Sequence, residues 1–256
     1  MRVFASTPNH ALSQPIVGMG YASDRHGVSS AFVCNSILAA LPEKEMMLLS
    51  DHLEFVYLES GREVCQAGQD FTHVYFPTTA IIAMLLRTAD GAAIEMGAIG
   101  REGVVGTSAF CDKGALGTAI VQFAGGAYRV KASVLEEICR EGESLQPLLM
   151  RYTWSFLSHV LQSSMSGRLW TIEQRLSCWL LERLDRLSTN ELKTTQEMIA
   201  GMLGVRRESI TESIGKLRKK GMVRCRRGSI TVLDRGRLER FSGECYLGSA
   251  GMATLS

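Results

Sequence analysis

The sequence predicts an α+β fold with three parts: an N-terminal antiparallel β-roll of the double-stranded β-helix or jelly-roll type, a long dimerisation helix, and a C-terminal winged helix-turn-helix. Three observations predict it. Short runs rich in β-branched residues alternate with glycines over 53–130. A long helical pattern with two apolar stripes follows over 144–166, and two short helical patterns flank a glycine between 195 and 220.

Composition is that of an ordinary globular protein and divides unevenly along the chain. The 256 residues are 46% hydrophobic and 21% charged, which excludes a wholly disordered or fibrous protein. We predict a disordered leader over 1–30, the roll over 31–130, a helical segment over 131–168, the winged helix-turn-helix over 169–240, and a tail over 241–256. The chain therefore has room for two domains with separate cores.

The roll is predicted from the spacing of its strands and turns. Glycines, including Gly91 after Asp90 and the pair Gly125 and Gly126, are expected to mark tight turns. Pro77 should end its strand because proline has no N–H to donate to a neighbouring strand. The predicted strands are 53–59, 73–76, 80–87, 92–99, 117–123 and 127–130.

The helical segment is expected to contain a short helix over 132–140, a break at Gly142, and a long helix over 144–166. One apolar stripe of the long helix comprises Leu145, Leu149, Tyr152, Phe156 and His159, and the other comprises Met150, Trp154, Leu157, Leu161 and Met165. A helix that is apolar on two sides needs two partners. We expect one stripe to cover the roll and the other to form a homodimer. A helix wholly buried in its own domain remains the alternative.

Charge separates the two predicted domains. Residues 1–170 carry 12 basic and 16 acidic side chains, a net charge of −4, whereas residues 171–240 carry 16 and 9, a net charge of +7. This asymmetry favours an anionic polymer as the partner of the second domain, and a merely solvated basic face is the alternative. Seven scattered cysteines without a CxxC pair, and no apolar run near 20 residues, predict a cytoplasmic protein with free thiols and no membrane partner.

The C-terminal part begins with a support helix over 171–188, on which Arg183 and Arg186 are assigned to the polar side. Thr194 and Glu197 have the spacing of a capping box, which predicts a short helix that ends at Gly204. A second helix over 206–220 has one apolar face. A hairpin of 222–225 and 229–233 then forms a basic wing.

The second helix carries side chains that suit the major groove of double-stranded DNA. Arg207 can donate two hydrogen bonds to a guanine, and Glu208 can accept one from the amino group of cytosine. The basic residues of the helix end and the wing suit phosphates instead. The predicted DNA-contacting residues are Thr195, Gln196, Arg206, Arg207, Glu208, Thr211, Glu212, Lys216, Lys219, Arg224, Arg226 and Arg227.

The run over 195–210 resembles the DNA-binding motif of Crp/Fnr-type transcription regulators, and the resemblance extends over about residues 31–240 in the family's order of elements. It implies a cyclic-nucleotide-binding-like sensor roll and a homodimer on a near-palindromic DNA site. It also implies that Arg207 and Glu208 read bases, and it adds RNA polymerase as a candidate partner. Cyclic-AMP-responsive members have an arginine four residues after that glutamate, whereas this chain has Glu212, so its preferred DNA sequence is left open.

The same resemblance bears on the effector. Cyclic-nucleotide-binding members hold the ribose with a Gly-Glu pair and the phosphate with an Arg-Ser pair, whereas the corresponding stretches here are 106–107, Gly-Thr, and 117–118, also Gly-Thr. We therefore predict no cofactor and no cyclic nucleotide. The alternative is a cyclic-nucleotide-responsive regulator in which Arg101 or Lys113 holds the phosphate.

Other sensor chemistries and an enzymatic function have less support in the sequence. An iron-sulfur centre would need a cysteine cluster, which the spacing of the cysteines does not offer. A haem ligand could be His52, His73 or Cys65, each of which is more simply explained as a packed or surface residue. The sequence contains no HxH pair, GxSxG elbow or GxxxxGK[ST] loop, so we predict that the protein is not an enzyme.

Overall fold

The computed structural model describes residues 34–88, 93–111 and 114–246. The predicted leader, the Asp90-Gly91 turn, Lys113 and the end of the predicted tail lie outside the described residues. None of the helices in the described ranges combines the length and the apolar character needed to cross a bilayer.

Two antiparallel sheets form the N-terminal roll, as predicted. Two short helices, α1 (Ser36–Ala39) and α2 (Glu43–Ser50), precede it. The strands are β1 (Glu54–Leu58), β2 (Glu63–Cys65), β3 (His73–Pro77), β4 (Ile81–Arg87), β5 (Ala93–Ile99), β6 (Thr118–Phe123) and β7 (Gly125–Lys131). One sheet has the order β1-β7-β3 and the other the order β2-β6-β4-β5. Leu58, Phe76 and Ile82 are fully buried in the roll.

Two details of the roll differ from the prediction. Gly125 and Gly126 do not form a turn but are the first two residues of β7. Glycine suits both positions because neighbouring residues pack closely against their backbone. A β-carbon on Gly125 would lie 2.5 Å from the backbone nitrogen of Ala80, and one on Gly126 would lie 2.6 Å from the Phe55 ring. Strand β2 was not predicted, since three residues are too few to show an alternating pattern. Pro77 is the last residue of β3, as expected.

The long helix has one buried and one exposed apolar stripe. Helix α3 (Ala132–Glu141) ends at Gly142, and α4 (Leu145–Leu169) follows, three residues longer than predicted at its C-terminal end. In the first stripe Leu145, Leu149 and Tyr152 are buried against the roll. Every member of the second stripe is exposed, and the side chain of Trp154 is 71% accessible. The alternative of a wholly buried helix is therefore excluded.

A buried carboxylate from α2 fixes the start of α4. The side chain of Glu45 accepts hydrogen bonds from the backbone N–H groups of Glu143, Ser144 and Leu145 at 3.2, 2.9 and 2.9 Å. Burial by itself would raise the pKa of Glu45, but these hydrogen bonds lower it below its ordinary value. The charged carboxylate thus satisfies amides that the first turn of a helix leaves free, and it complements the helix dipole.

The C-terminal domain combines four helices with a small antiparallel sheet. Its elements are α5 (Ile172–Leu187), β8 (Glu191–Lys193), α6 (Gln196–Leu203), α7 (Arg207–Lys219), β9 (Val223–Arg226), β10 (Ser229–Val232) and α8 (Arg235–Ser242). The sheet has the order β8-β10-β9, so a third strand supports the predicted hairpin. Strand β8 and helix α8 were not predicted. Strand β8 is three residues long, and α8 is rich in arginine and has a glycine in its first turn.

The assignment of Arg183 and Arg186 to the polar side of α5 was wrong. The side chain of Arg183 is 1% accessible, forms ion pairs with Glu95 and Glu182, and donates a 3.0 Å hydrogen bond to Gln122. The guanidinium of Arg186 is also buried, 2.7 Å from the Glu102 carboxylate. Because Glu95, Glu102 and Gln122 belong to the roll, these two arginines join the roll to the C-terminal domain.

Candidate DNA-binding interface

Helices α6 and α7 and the turn between them form a helix-turn-helix. Gly204 ends α6 in the left-handed conformation with φ +64°, which glycine adopts without the steric cost that a β-carbon would bring. The backbone N–H of Val205 donates to the carbonyl of Ala200 at 3.0 Å and closes the turn. Ala200 is buried where the two helices meet, so its small side chain permits their close approach.

The helix cap lies one residue later than the predicted capping box. Thr195, not Thr194, is the N-cap of α6, and its hydroxyl accepts a hydrogen bond from the backbone N–H of Met198 at 3.1 Å. Thr194 is buried, and its backbone N–H donates to the carbonyl of Gly228 in the wing at 3.0 Å. This bond ties the chain before α6 to the wing and places Thr194 inside the domain, one residue before the cap. Glu197 stays exposed.

Helix α7 buries one face and exposes the other. Ile210, Ile214 and Leu217 are buried in the domain core, as predicted. On the opposite face, Arg207 and Glu208 are exposed in the first turn of α7. Arg206, the N-cap, is also exposed and makes no side-chain capping bond. The amino-terminal end of α7, where an anion is favoured, thus lies at the surface between two arginines.

Arg207 is only loosely held. Its Nε lies 4.0 Å from a carboxylate oxygen of Glu197, and both side chains are more than half accessible. An exposed ion pair at this distance contributes little to stability, so the guanidinium can be redirected to another acceptor at small cost.

Four other predicted contact residues are engaged within the domain. The hydroxyl of Thr211 donates to the side-chain oxygen of Gln196 at 2.6 Å, which links α7 to α6. The ammonium of Lys216 lies 2.7 Å from Glu173 on α5 and 2.8 Å from Glu212 on its own helix. Hydrogen bonding to Glu173 and Glu212 raises the pKa of Lys216. Lys216 therefore stabilises the packing of α7 on α5, and its positive charge is paired within the domain.

Basic side chains continue from the end of α7 into the wing. Lys219, Arg224, Arg226 and Arg227 are all exposed, and Gly228 makes the wing turn with φ +79°. The unpredicted helix α8 adds three exposed arginines, Arg235, Arg237 and Arg240, of which Arg235 pairs with Asp185 and Glu239. Lys220, expected at a phosphate, instead has its ammonium 4.2 Å from the centre of the Phe241 ring. The high density of arginine and lysine over 218–240 was the sequence signal from which α8 could have been predicted to belong to this basic surface.

The residues considered for a cyclic nucleotide belong to different segments of the roll. Thr118 is buried in β6, and a β-carbon on Gly117 would lie 2.6 Å from the carbonyl oxygen of Leu85. Gly106 has φ +111° and precedes a 3-10 helix, Thr107–Cys111. Arg101 is exposed, and its guanidinium donates to the carbonyl of Asp185 at 3.3 Å.

The candidate haem ligands also belong to different elements. His52 is exposed, and His73 forms a 3.0 Å hydrogen bond with the neighbouring Thr72. Cys65 is buried, and burial raises the pKa of its thiol. Within the described ranges no group of three or more His, Cys, Asp or Glu side chains could hold a metal ion.

Comparison with known proteins supports this geometry. Residues 174–241 match the family model described as a Crp-like helix-turn-helix domain. The C-terminal domain is a Crp-like helix-turn-helix domain. The match covers the support helix, both helices of the motif, the wing and most of α8. No curated protein matches the chain.

Solved structures extend the likeness beyond the C-terminal domain. A protein from Eubacterium rectale assigned to the crp/fnr family is 22% identical, with 82% of this chain and 99% of that chain covered at a TM-score of 0.64. FixK2 from Bradyrhizobium japonicum is 18% identical, with coverage of 75% and 98% and a TM-score of 0.66. A CRP/FNR-family transcriptional regulator from Thermus thermophilus is 18% identical. The match covers 74% of this chain and 98% of that chain at a TM-score of 0.63.

At these identities the neighbours establish the fold. The chain therefore has the Crp/Fnr-type fold, in which a roll and a long helix precede the Crp-like DNA-binding domain. The neighbours from Eubacterium rectale and Thermus thermophilus are described as transcriptional regulators.

Proposed function

We propose that the protein is a sequence-specific transcription regulator that binds a near-palindromic DNA site as a homodimer in the cytoplasm. The observation that carries the proposal is the pair Arg207 and Glu208, exposed together in the first turn of α7 while the apolar face of that helix is buried. A helix placed in this way can enter the major groove with its N-terminal side chains at the base edges. RNA polymerase is a further proposed partner on the resemblance alone.

Arg207 is assigned to base reading and the wing to phosphate binding. The guanidinium of Arg207 has only the loose contact with Glu197 to give up. Arg226 and Arg227 lie at the tip of a hairpin, where they can follow a phosphate backbone without reading bases. Affinity should therefore fall steeply with salt for any DNA, whereas sequence preference should depend on the first turn of α7.

We expect replacement of Arg207 by Ala to weaken binding of the homodimer to the preferred DNA site by about 30-fold or more, since each of the two half-sites loses one bidentate base contact that contributes roughly 1–3 kcal/mol. Binding to unrelated DNA should change far less, because its affinity comes mainly from phosphates. The site would first be selected from a randomised pool of double-stranded oligonucleotides. Fluorescence anisotropy at fixed salt would then measure both affinities.

Arg140→Ala is the matched control, because Arg140 is an exposed arginine on α3, in the segment between the roll and α4. It should leave both affinities unchanged. An equal loss on selected and unrelated DNA after Arg207→Ala would show that Arg207 binds phosphate only. A pool from which no sequence is enriched would contradict sequence-specific binding altogether.

The proposed homodimer uses the exposed stripe of α4. Met150, Trp154, Leu157, Leu161 and Met165 form a continuous apolar line on the solvent side of α4. The same line on a second copy would bury it in the manner of a coiled coil. A two-fold dimer places its two reading helices about 34 Å apart, one turn of DNA, which is the reason for expecting a near-palindromic site.

We further propose that the roll does not bind a cyclic nucleotide. A cyclic phosphate taken out of water needs a charge-assisted donor. Thr118 is buried within a strand, and Arg101, one proposed substitute, already donates to Asp185. Titration calorimetry with cyclic AMP and cyclic GMP should therefore show no heat of binding at micromolar concentrations. Saturable binding in that range would favour the cyclic-nucleotide-responsive alternative.

A further inference from the structure

Two cysteines that are far apart in the chain meet in the C-terminal domain. Cys178 lies in α5, and Cys245 lies three residues after the end of α8. The thiol of Cys178 donates a hydrogen bond to the backbone carbonyl of Cys245 at 3.1 Å. Bond lengths then place the Cys178 sulfur within about 5.5 Å of the Cys245 Cα, and in a disulfide this separation is about 4 Å. A small shift therefore suffices, and Gly243 leaves room for it, since no atom lies within 4 Å of where its β-carbon would be.

Hydrogen bonds of the next residue hold Cys245 against α5. The hydroxyl of Tyr246 donates to the Asp185 carboxylate at 2.7 Å and accepts from the Arg235 guanidinium at 2.8 Å. Asp185 follows Cys178 by seven residues, or two turns of α5, so both side chains lie on one face of that helix. The segment after α8 is thus fixed on the face of α5 that carries Cys178.

Exposure and charge distinguish the two thiols. Cys245 is partly exposed, whereas Cys178 is only 7% accessible. Both residues belong to the wall of a cavity of about 380 Å³ between the roll, α4 and the C-terminal domain. Arg175 lies on the same wall, and its positive charge attracts the Cys245 thiolate, the form of cysteine that attacks a peroxide. Cys245 is therefore the thiol that an oxidant meets first.

We propose that Cys178 and Cys245 form a redox-active pair that hydrogen peroxide converts to an intrachain disulfide. The Cys245 thiolate attacks one peroxide oxygen, the O–O bond breaks, and Cys245 becomes a sulfenic acid as hydroxide leaves. The Cys178 sulfur then attacks the sulfenic sulfur and passes its proton through the Glu182 carboxylate, 3.6 Å from the thiol. The second hydroxide leaves as the S–S bond forms, so two thiols are oxidised and one peroxide is reduced to two waters. The new bond closes a loop that contains α6, α7 and the wing.

The bond can be detected directly, because trypsin separates the two cysteines. Cleavage after lysine and arginine places Cys178 in the peptide 176–183 and Cys245 in 241–256, and neither peptide contains another cysteine. The reduced full chain would be treated with about a tenfold molar excess of hydrogen peroxide, then denatured, alkylated, digested and analysed by mass spectrometry. We expect more than about half of the chains to carry the two peptides linked, and dithiothreitol to release them.

Variants test the role of each cysteine. Cys245→Ser should form no bond and leave Cys178 open to alkylation, because peroxide reacts first at position 245. Cys178→Ser should convert Cys245 to its sulfinic acid, since no thiol then captures the sulfenic acid. The matched control is Cys225→Ser, because Cys225 is another partly exposed cysteine of the same domain, on β9. It should form the bond as the parent does.

The proposal is overturned if both cysteines of the parent can still be alkylated after peroxide treatment. It is also overturned if Cys245 of the parent becomes a sulfinic acid while Cys178 stays a thiol, since the two sulfurs then do not meet. A linked pair found only in chains of doubled mass on non-reducing electrophoresis would place the bond between two copies and contradict it. Cys245→Ser alters a partly exposed residue, so the test stays decisive should Cys178→Ser not fold. No DNA is present, so the result is independent of the role of Arg207.

Discussion

Replacement of Arg183 by Ala should lower the free energy of unfolding by about 3–5 kcal/mol. The substitution removes a fully buried cation and leaves the Glu95 carboxylate, which is 8% accessible, without its counter-charge. It also removes the 3.0 Å hydrogen bond to Gln122 and the packing of the guanidinium over the Trp179 ring, 4.4 Å from its centre. Urea unfolding followed by circular dichroism at pH 7 measures the change.

Two further variants decide whether charge is the cause. Arg140→Ala removes an exposed arginine and should change the free energy of unfolding by less than about 0.5 kcal/mol. Combining Arg183→Met with Glu95→Gln and Glu182→Gln removes the buried arginine together with both carboxylates that pair with it, and it should recover a substantial part of the loss, because none of the three charges is left without its partner. A loss below about 1 kcal/mol in Arg183→Ala would mean that water reaches Glu95 and neutralises the cost.

The same arginine shows what the sequence could and could not predict. Arg183 lies seven residues after Leu176, two helical turns on, so its position places it on the apolar face of α5. Its residue type alone led to the assignment to the polar side. Its partners Gln122 and Glu95 are 61 and 88 residues away in the chain, so no sequence pattern around Arg183 identifies them. Helical phase was thus a usable signal for its burial, but not for its partners.

Elements with a long periodic pattern were predicted well for the same physical reason. The two stripes of α4 and the apolar face of α7 follow from the 3.6-residue period, and the positive φ of Gly204 follows from the turn between two helices. Strand β8 offers too few residues for a pattern. In the candidate interface, the engagement of Lys216 by Glu173 was not predictable, because it joins two helices whose relative placement is set by packing.

Introducing Glu at both Trp154 and Leu161 should convert the proposed dimer into a monomer. Both side chains lie on the exposed stripe of α4, and the side chains of both have more than half of their surface accessible. Burying an apolar side chain of this size contributes roughly 1.5–3 kcal/mol, and each substitution occurs twice in a symmetric dimer. The dimer dissociation constant should therefore rise at least about a thousandfold. Sedimentation equilibrium measures the association directly.

Met47→Glu provides the matched control, since Met47 is an exposed apolar residue on α2, away from the stripe, with 60% of its surface accessible. It should leave the association unchanged. Because neither Trp154 nor Leu161 is buried in the subunit, the double variant should keep the circular dichroism spectrum of the parent and a cooperative urea transition, at a urea concentration lowered only by the lost association, which separates loss of the dimer from loss of the fold. The proposed dimer would be contradicted if the parent protein were monomeric at micromolar concentration. If the double variant still dimerised, another surface would join the subunits, and the expected spacing of the two reading helices, about 34 Å, would no longer follow from α4.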